Sequence, residues 1–165
     1  MADNSDQEQV MGFRIQGLAV ERFAHLFGLD DAALAAQGAK RCIADVYPGY
    51  PDRIEMRDAN IGERLILVNY EHLPAASPYR SRHAVFVLEN AHRCYSAENQ
   101  VPEVIRRRMI SLRAFDEADY MVTAQLVSGS EIEAQIEQML ANPKISYLHA
   151  HYAAPGCYAA RIDRM

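Results

Sequence analysis

The sequence has few cysteines, no long apolar run and no concentration of basic charge, and each absence excludes a class of protein. The three cysteines, Cys42, Cys94 and Cys157, are odd in number and include no C-x-x-C pair, so neither a disulfide framework nor a zinc ribbon is predicted. No apolar run approaches the roughly 20 residues that span a bilayer, and the polar, acidic N-terminus is unlike a secretion signal. We therefore expect a cytoplasmic protein with no membrane partner.

Nucleic-acid binding and the common motif-defined enzyme classes also lose support. The net charge is −5 and the basic residues are dispersed, apart from the run Arg106, Arg107 and Arg108, which we interpret as a solvated helix end or loop. The sequence contains no nucleophile elbow, glycine-rich phosphate loop, nucleotide fingerprint or H-E-x-x-H motif. No cofactor is predicted from these patterns.

What the chain does have is enough apolar sequence for one core. It is 165 residues long and 50% hydrophobic, which suits a single domain over residues 13–165 after a flexible tail over residues 1–12. Alternating or wholly apolar segments predict strands near Phe13 and at 40–46, 65–70, 84–88, 109–115, 120–127, 145–152 and 157–163, the last four of them in two hairpins.

The remaining periodic segments predict helices. Residues 19–27 and a segment capped by Asp30 and Asp31 read as two short helices. The capping box Ser130-Glu131-Ile132-Glu133 predicts a longer amphipathic helix that stops at Asn142-Pro143. The predicted fold class is α+β: a mostly antiparallel sheet of five to seven strands, with one long amphipathic helix and two short N-terminal helices packed on it.

The C-terminal hairpin carries the most informative polar pattern. A period of two places Ile145, Tyr147, His149 and His151 on one face, so the two imidazoles lie on the same side of the strand. The simplest interpretation is that they are hydrogen-bonded to the backbone or a tyrosine at a strand end. The alternatives are contacts for an anion or substrate, or metal ligands. A metal needs a third ligand from a histidine, carboxylate or cysteine, and the candidates are His83, Asp45 and Cys157.

Cysteine and arginine side chains supply the other candidate sites. Cys157 shares the hairpin with the histidines and is either a nucleophile with a histidine base or a small buried hydrophobe. Arginine forks match carboxylate or phosphate, so the predicted ligand-binding residues are Arg80, Arg82, His83, His149, His151 and Arg161. The alternative is that these arginines pair with Asp45, Glu71 or Asp163 and tie loops to the sheet.

Several short runs, taken with their order and spacing, give the chain a family resemblance. They are Tyr47-Pro48-Gly49-Tyr50-Pro51, Asn69-Tyr70-Glu71-His72, Ser77-Pro78-Tyr79-Arg80, Leu112-Arg113-Ala114-Phe115-Asp116 and the stretch from Pro155 to Arg164. From about Phe13 to the C-terminus the chain resembles the bacterial family called domain of unknown function 1203. The resemblance implies a small bacterial cytoplasmic protein and no particular reaction. The chain departs from the family pattern at Asp52, where a cysteine is expected.

Three functions remain open on the sequence alone. The first is a module that binds a small anionic molecule in an Arg/His-lined cleft closed by the loop of residues 47–52. The second is an enzyme, either metal-assisted through His149 and His151 or nucleophilic through Cys157. The third is a protein-interaction module without chemistry, which predicts an exposed apolar patch.

Overall fold

The structure is a computed structural model that describes residues 12–165, so the predicted tail lies outside the described residues except for Gly12. The strands confirm an α+β fold with antiparallel pairing. They are β1 (Phe13–Gln16), β2 (Lys40–Ile43), β3 (Arg64–Leu73), β4 (Ser81–Leu88), β5 (Ser96–Glu98), β6 (Met109–Phe115), β7 (Met121–Ser128), β8 (Tyr147–Tyr152) and β9 (Tyr158–Arg164).

These strands form two sheets and not the single sheet that the sequence predicted. Six strands follow the order β5-β1-β9-β8-β6-β7, and a separate meander has the order β2-β3-β4. In the meander β3 pairs with β2 over residues 64–67 and with β4 over most of its length, and neither edge strand pairs with a strand of the larger sheet. Both predicted hairpins, β6–β7 and β8–β9, are confirmed.

The helices are shorter than predicted. They are α1 (Asp31–Ala36), α2 (Glu103–Arg106) and α3 (Ile132–Leu140). The first predicted N-terminal helix is replaced by two single 3-10 turns, Val20–Arg22 and Ala24–Leu26. The second is α1, and Asp30 caps it by accepting a hydrogen bond from Ala33 N at 2.8 Å.

The prediction of one long amphipathic helix is wrong in length. Ser130 does not cap the helix, because its hydroxyl lies 2.8 Å from that of Ser128, and Gly129–Glu131 form a 3-10 turn instead. Glu133 pairs with Arg106 and does not reach back to close the capping box. The nine-residue α3 is nevertheless amphipathic, since Ile132, Ile136, Met139 and Leu140 are buried.

The two faces of the larger sheet have different partners. On one face, α3 packs against apolar side chains such as Leu112, Leu148 and Ile162 in the main core. A second core joins β3, β4 and the N-terminal turns, and Tyr158 of β9 belongs to it. Tyr158 therefore marks the place where the meander meets the other face of the larger sheet. No helix among residues 12–165 is long and apolar enough to cross a membrane.

A close backbone approach at Gly129 fixes the start of α3. Gly129 N donates to Arg108 O at 2.8 Å, and a Cβ at this position would lie only 1.9 Å from Ile105 O. Two backbone segments therefore touch where only glycine fits.

Replacing Gly129 with alanine should destabilise the fold, because the backbone at Ile105 must move away. We expect Gly129→Ala to lower the free energy of unfolding by about 3 kcal/mol, measured by urea denaturation. Gly12→Ala is the matched control, since its Cβ would make an ordinary contact 3.4 Å from Met165 Cβ. Equal unfolding midpoints for the two variants would contradict this account of Gly129.

Candidate metal centre

Strand β8 brings two of the predicted site residues together on the face that meets the meander. His149 and His151 share this face with Tyr147, while Leu148 points into the main core, which confirms the predicted alternation. Ile145 does not share it, because it precedes the strand and packs in the main core. The two imidazoles are buried, 2% and 0% exposed, and are not held open at a strand end as the sequence suggested.

The β3–β4 hairpin brings two more imidazoles to the same place. The pairing of the hairpin shifts register between Tyr70 and Leu73, and within this irregular stretch both His72 and Leu73 are buried. His83 of β4 lies opposite Tyr70, and its Nδ1 is 2.8 Å from Nε2 of His72. The two rings also stack, with centroids 4.8 Å apart.

Three of these four histidines form a constellation typical of a metal site. His72, His149 and His151 each offer one ring nitrogen, and these atoms all lie within 4.8 Å of one another. Each residue also has a buried ring nitrogen for which the described part of the chain provides no hydrogen-bond partner: Nδ1 of His72, Nδ1 of His149 and Nε2 of His151. The other nitrogen of His151, Nδ1, lies 3.1 Å from Gly156 O.

Burial holds these imidazoles in the neutral form. It lowers the pKa of His149 from 6.5 to about 2, with His72 adding to the effect, and the pKa of His151 to about 3, with Arg113 adding to it. The pKa of His72 falls to about 4, first through burial and then through His83, and burial also lowers that of His83. Neutral imidazole is the form that binds transition metals.

Aromatic rings pack around the constellation and limit its movement. Tyr158 stacks on His72 with centroids 5.0 Å apart, and it meets His149 edge-on at 5.1 Å. Phe115 also packs against His149, with ring centroids 5.2 Å apart. The imidazoles are therefore held by ring contacts as well as by their strands.

The predicted arginines do not converge into one cleft. Arg80 pairs with Glu71 on the surface, and Nε of the exposed Arg82 donates to Asn69. Arg161 lies opposite His149 in the β8–β9 register, but its guanidinium is 2.8 Å from Asp163 and 3.9 Å from the centre of the Tyr147 ring.

Of the three candidate third ligands, none occupies that position. Asp45 accepts a hydrogen bond from the exposed Tyr50 hydroxyl at 2.8 Å. Cys157 Sγ lies 3.0 Å from NH2 of Arg53, and the partner of this thiol is therefore a guanidinium and not a histidine base. His83 lies against the constellation: it is hydrogen-bonded to His72 and meets His151 edge-on, with ring centroids 5.4 Å apart.

Sequence reasoning missed two residues of the centre, His72 and Arg113. His72 occurs in one of the family-like runs, yet nothing in the run shows that β3 is irregular there. Arg113 follows a simpler rule, because it alternates with the buried Leu112 and so belongs to the histidine face of β6. That alternation was the available signal for Arg113.

A cavity of about 700 Å³ adjoins the centre through His83. The loop of residues 47–52 contributes Gly49 and Pro51 to its wall, but most of the wall is apolar and none of the predicted arginines lines it. Its other lining residues include Arg53, Leu67, Phe86, Arg108, Met109, Tyr152 and Cys157. Each of the three guanidinium nitrogens of Arg53 donates one hydrogen bond: Nε to Tyr158 O at 2.9 Å, and the other two to Pro51 O and Cys157.

Comparison with protein families gives one match. The model of the family described as "Protein of unknown function (DUF1203)" matches residues 49–164, a span that contains all four histidines of the cluster. No curated protein and no solved structure matches the chain.

Acid should destabilise the metal-free protein, because its buried histidines bind protons only when it unfolds. Burial lowers the folded-state pKa of His149 from 6.5 to about 2, so its contribution to stability is complete above pH 6.5 and is lost progressively as the pH falls from 6.5 toward about 2. Each such histidine contributes a slope of up to about 1.4 kcal/mol per pH unit. Denaturant titrations at several pH values between 7.5 and 4.5 measure this slope of the free energy of unfolding against pH.

The variant His149→Gln should reduce that slope, whereas His25→Gln, at an exposed position, should leave it unchanged. A slope that is the same in all three proteins would show that His149 is not kept neutral by burial.

Proposed function

The chain belongs to the DUF1203 family, and we propose that it binds one first-row transition-metal ion, with zinc as the reference metal, through His72, His149 and His151. The observation that carries this proposal is the buried, unpartnered ring nitrogen on each of the three residues. A buried polar atom without a partner costs about 1–3 kcal/mol. One metal ion bound by all three residues would remove that cost.

The distances are compatible with such an ion after a small adjustment. Zinc–nitrogen bonds of about 2.0–2.1 Å place two ligands of a tetrahedral site roughly 3.3 Å apart. The nitrogens of this site lie within 4.8 Å of one another, so each would move inward by at most roughly 1 Å. Imidazole donors suit zinc, copper, iron and nickel.

Two hydrogen bonds outside the constellation support the same assignment. A ligating histidine usually has its second ring nitrogen bonded to a carbonyl, a carboxylate or water, which fixes the ring and its tautomer. Nδ1 of His151 meets Gly156 O, which leaves Nε2 for the metal. Nε2 of His72 meets His83, which leaves Nδ1 of His72.

The ligand set favours a catalytic centre over a structural one. Structural zinc sites are usually closed by four protein ligands, whereas three protein ligands leave a position for water or substrate. A metal at such a site supplies Lewis-acid chemistry. The apolar cavity behind His83 offers space for the body of a substrate.

The proposed setting is the cytoplasm of a bacterial cell. Cys42, Cys94 and Cys157 are all free thiols, as suits a reducing compartment.

Metal analysis of protein purified without an affinity tag tests the proposal. We expect close to one equivalent of metal per chain, or after chelation the stoichiometric uptake of Zn²⁺ with a rise in the melting temperature. The double variant His149→Ala/His151→Ala should lose both. His92→Ala, which removes an exposed histidine outside the cluster, should keep both.

The proposal fails if the chelated wild type neither binds Zn²⁺ in calorimetry nor gains thermal stability from it. It also fails if the double variant folds and binds as much metal as the wild type.

Replacing His83 tests the outer hydrogen bond to His72. His83→Phe keeps an aromatic ring beside His72 but removes the nitrogen that orients it, so we expect zinc affinity to fall by about 10- to 100-fold in competition with a chromophoric chelator. The loss should appear without loss of stoichiometry. Unchanged affinity would show that His83 does not orient the ligand.

A further inference from the structure

Arg113 stands beside the histidine constellation with its charge uncompensated. In the β6–β8 register it lies directly opposite His149, so its side chain leaves the sheet on the same face. Its guanidinium is half-buried, and its one hydrogen bond in the described chain is a long one of 3.4 Å from Nε to the hydroxyl of Ser111.

Several other arginines that are at least partly buried have acidic partners, and Arg53 and Arg164, which have none in the described chain, donate instead to backbone carbonyls. Arg41 is 2.8 Å from Glu89, and Arg108 is 2.6 Å from Asp58. The exposed Arg161 is the nearest comparison, because it flanks His149 from the β9 side and is paired with Asp163. Within residues 12–165, Arg113 has no such pair. The protein therefore keeps one cation free at this face.

A bound metal would make this excess of positive charge larger. The proposed ligands are neutral imidazoles, so a divalent ion would keep both its charges, and Arg113 would add a third. Unpaired charge is costly where water is largely excluded, and the usual compensation is a counter-ion. No ligand of the constellation is a carboxylate. A bound anion would supply the compensating charge.

We infer that the open position of the metal centre takes a small oxyanion, a carboxylate or a phosphate group, and that Arg113 binds the same group. This inference rests on the proposed metal site. The guanidinium fork can donate two parallel hydrogen bonds to such a group, and Arg113 is exposed enough to meet a ligand from solvent. The site thus selects an anionic substrate by an arginine that the sequence pattern did not single out.

Cobalt-substituted protein allows the two proposals to fail separately. The full chain is loaded with Co²⁺ in a non-coordinating, chloride-free buffer, and acetate or inorganic phosphate is added while the visible absorption of the ion is followed. A saturable spectral change with either anion is expected. A response to acetate alone assigns a carboxylate, and a response to phosphate alone assigns a phosphate group.

Variants at Arg113 then show whether this residue binds the anion. Arg113→Met should weaken the apparent anion affinity by about tenfold to a hundredfold while the protein still binds Co²⁺. Arg113→Lys, which keeps the charge but loses the fork, should give an intermediate loss. Arg93→Met, which removes an exposed arginine between β4 and β5, should have no effect.

The possible contrary results point to different errors. Co²⁺ that binds but responds to neither anion overturns this inference and leaves the metal site standing. Anion affinity that is equal in the wild type and Arg113→Met overturns the role of Arg113. If that variant does not fold, equal affinity in the wild type and Arg113→Lys shows that the guanidinium fork does not bind the anion. A wild type that binds no Co²⁺ overturns the metal site and the inference together.

Discussion

The burial of neutral imidazoles between two sheets is the constraint around which this end of the molecule is organised. His149 and His151 are as deeply buried as core leucines, yet each has a ring nitrogen without a partner in the described chain. A fold gains nothing from such atoms in isolation, because each costs about 1–3 kcal/mol when it leaves water. The ring stacking of Tyr158 and the hydrogen bond to Gly156 compensate only part of that cost. The proposed metal ion, shared by the three residues, would remove the rest of that cost.

The half of the centre that lies on β8 could be predicted from the sequence because it depends on one short-range rule. Alternation along a strand places His149 and His151 on one face whatever the rest of the chain does. His72 depends on an irregular pairing of β3 and on the docking of a separate three-stranded sheet against the larger one. The residues next to His72 indicate neither the irregular pairing nor the docking, so the position of His72 beside the other two histidines could not be predicted from the sequence.

The helices show the same contrast between local and tertiary information. The capping box at Ser130 is a local signal, and it predicts an early helix start. The backbone contact between Gly129 and Arg108 pulls this segment into a 3-10 turn, and Glu133 is engaged by Arg106 instead. The amphipathic character of α3 was nevertheless predicted, because burial against the sheet depends on periodicity and not on where the first turn begins.

The structure distinguishes arginines that are paired with a carboxylate from Arg113, which is not so paired in the described chain, a distinction that the sequence alone could not make. Arg80 and Arg161 have acidic partners close by, which is the structural alternative recognised from the sequence, and that pairing explains their positions without a ligand. Arg113 differs because its neighbours are neutral imidazoles. Partial burial of a guanidinium costs free energy because the charge loses water. A carboxylate partner already offsets that cost for a paired arginine, so a half-buried arginine without such a partner gains more from binding an anion. Arg113, which has no carboxylate partner among the described residues, is therefore the best candidate among these arginines to bind an anion.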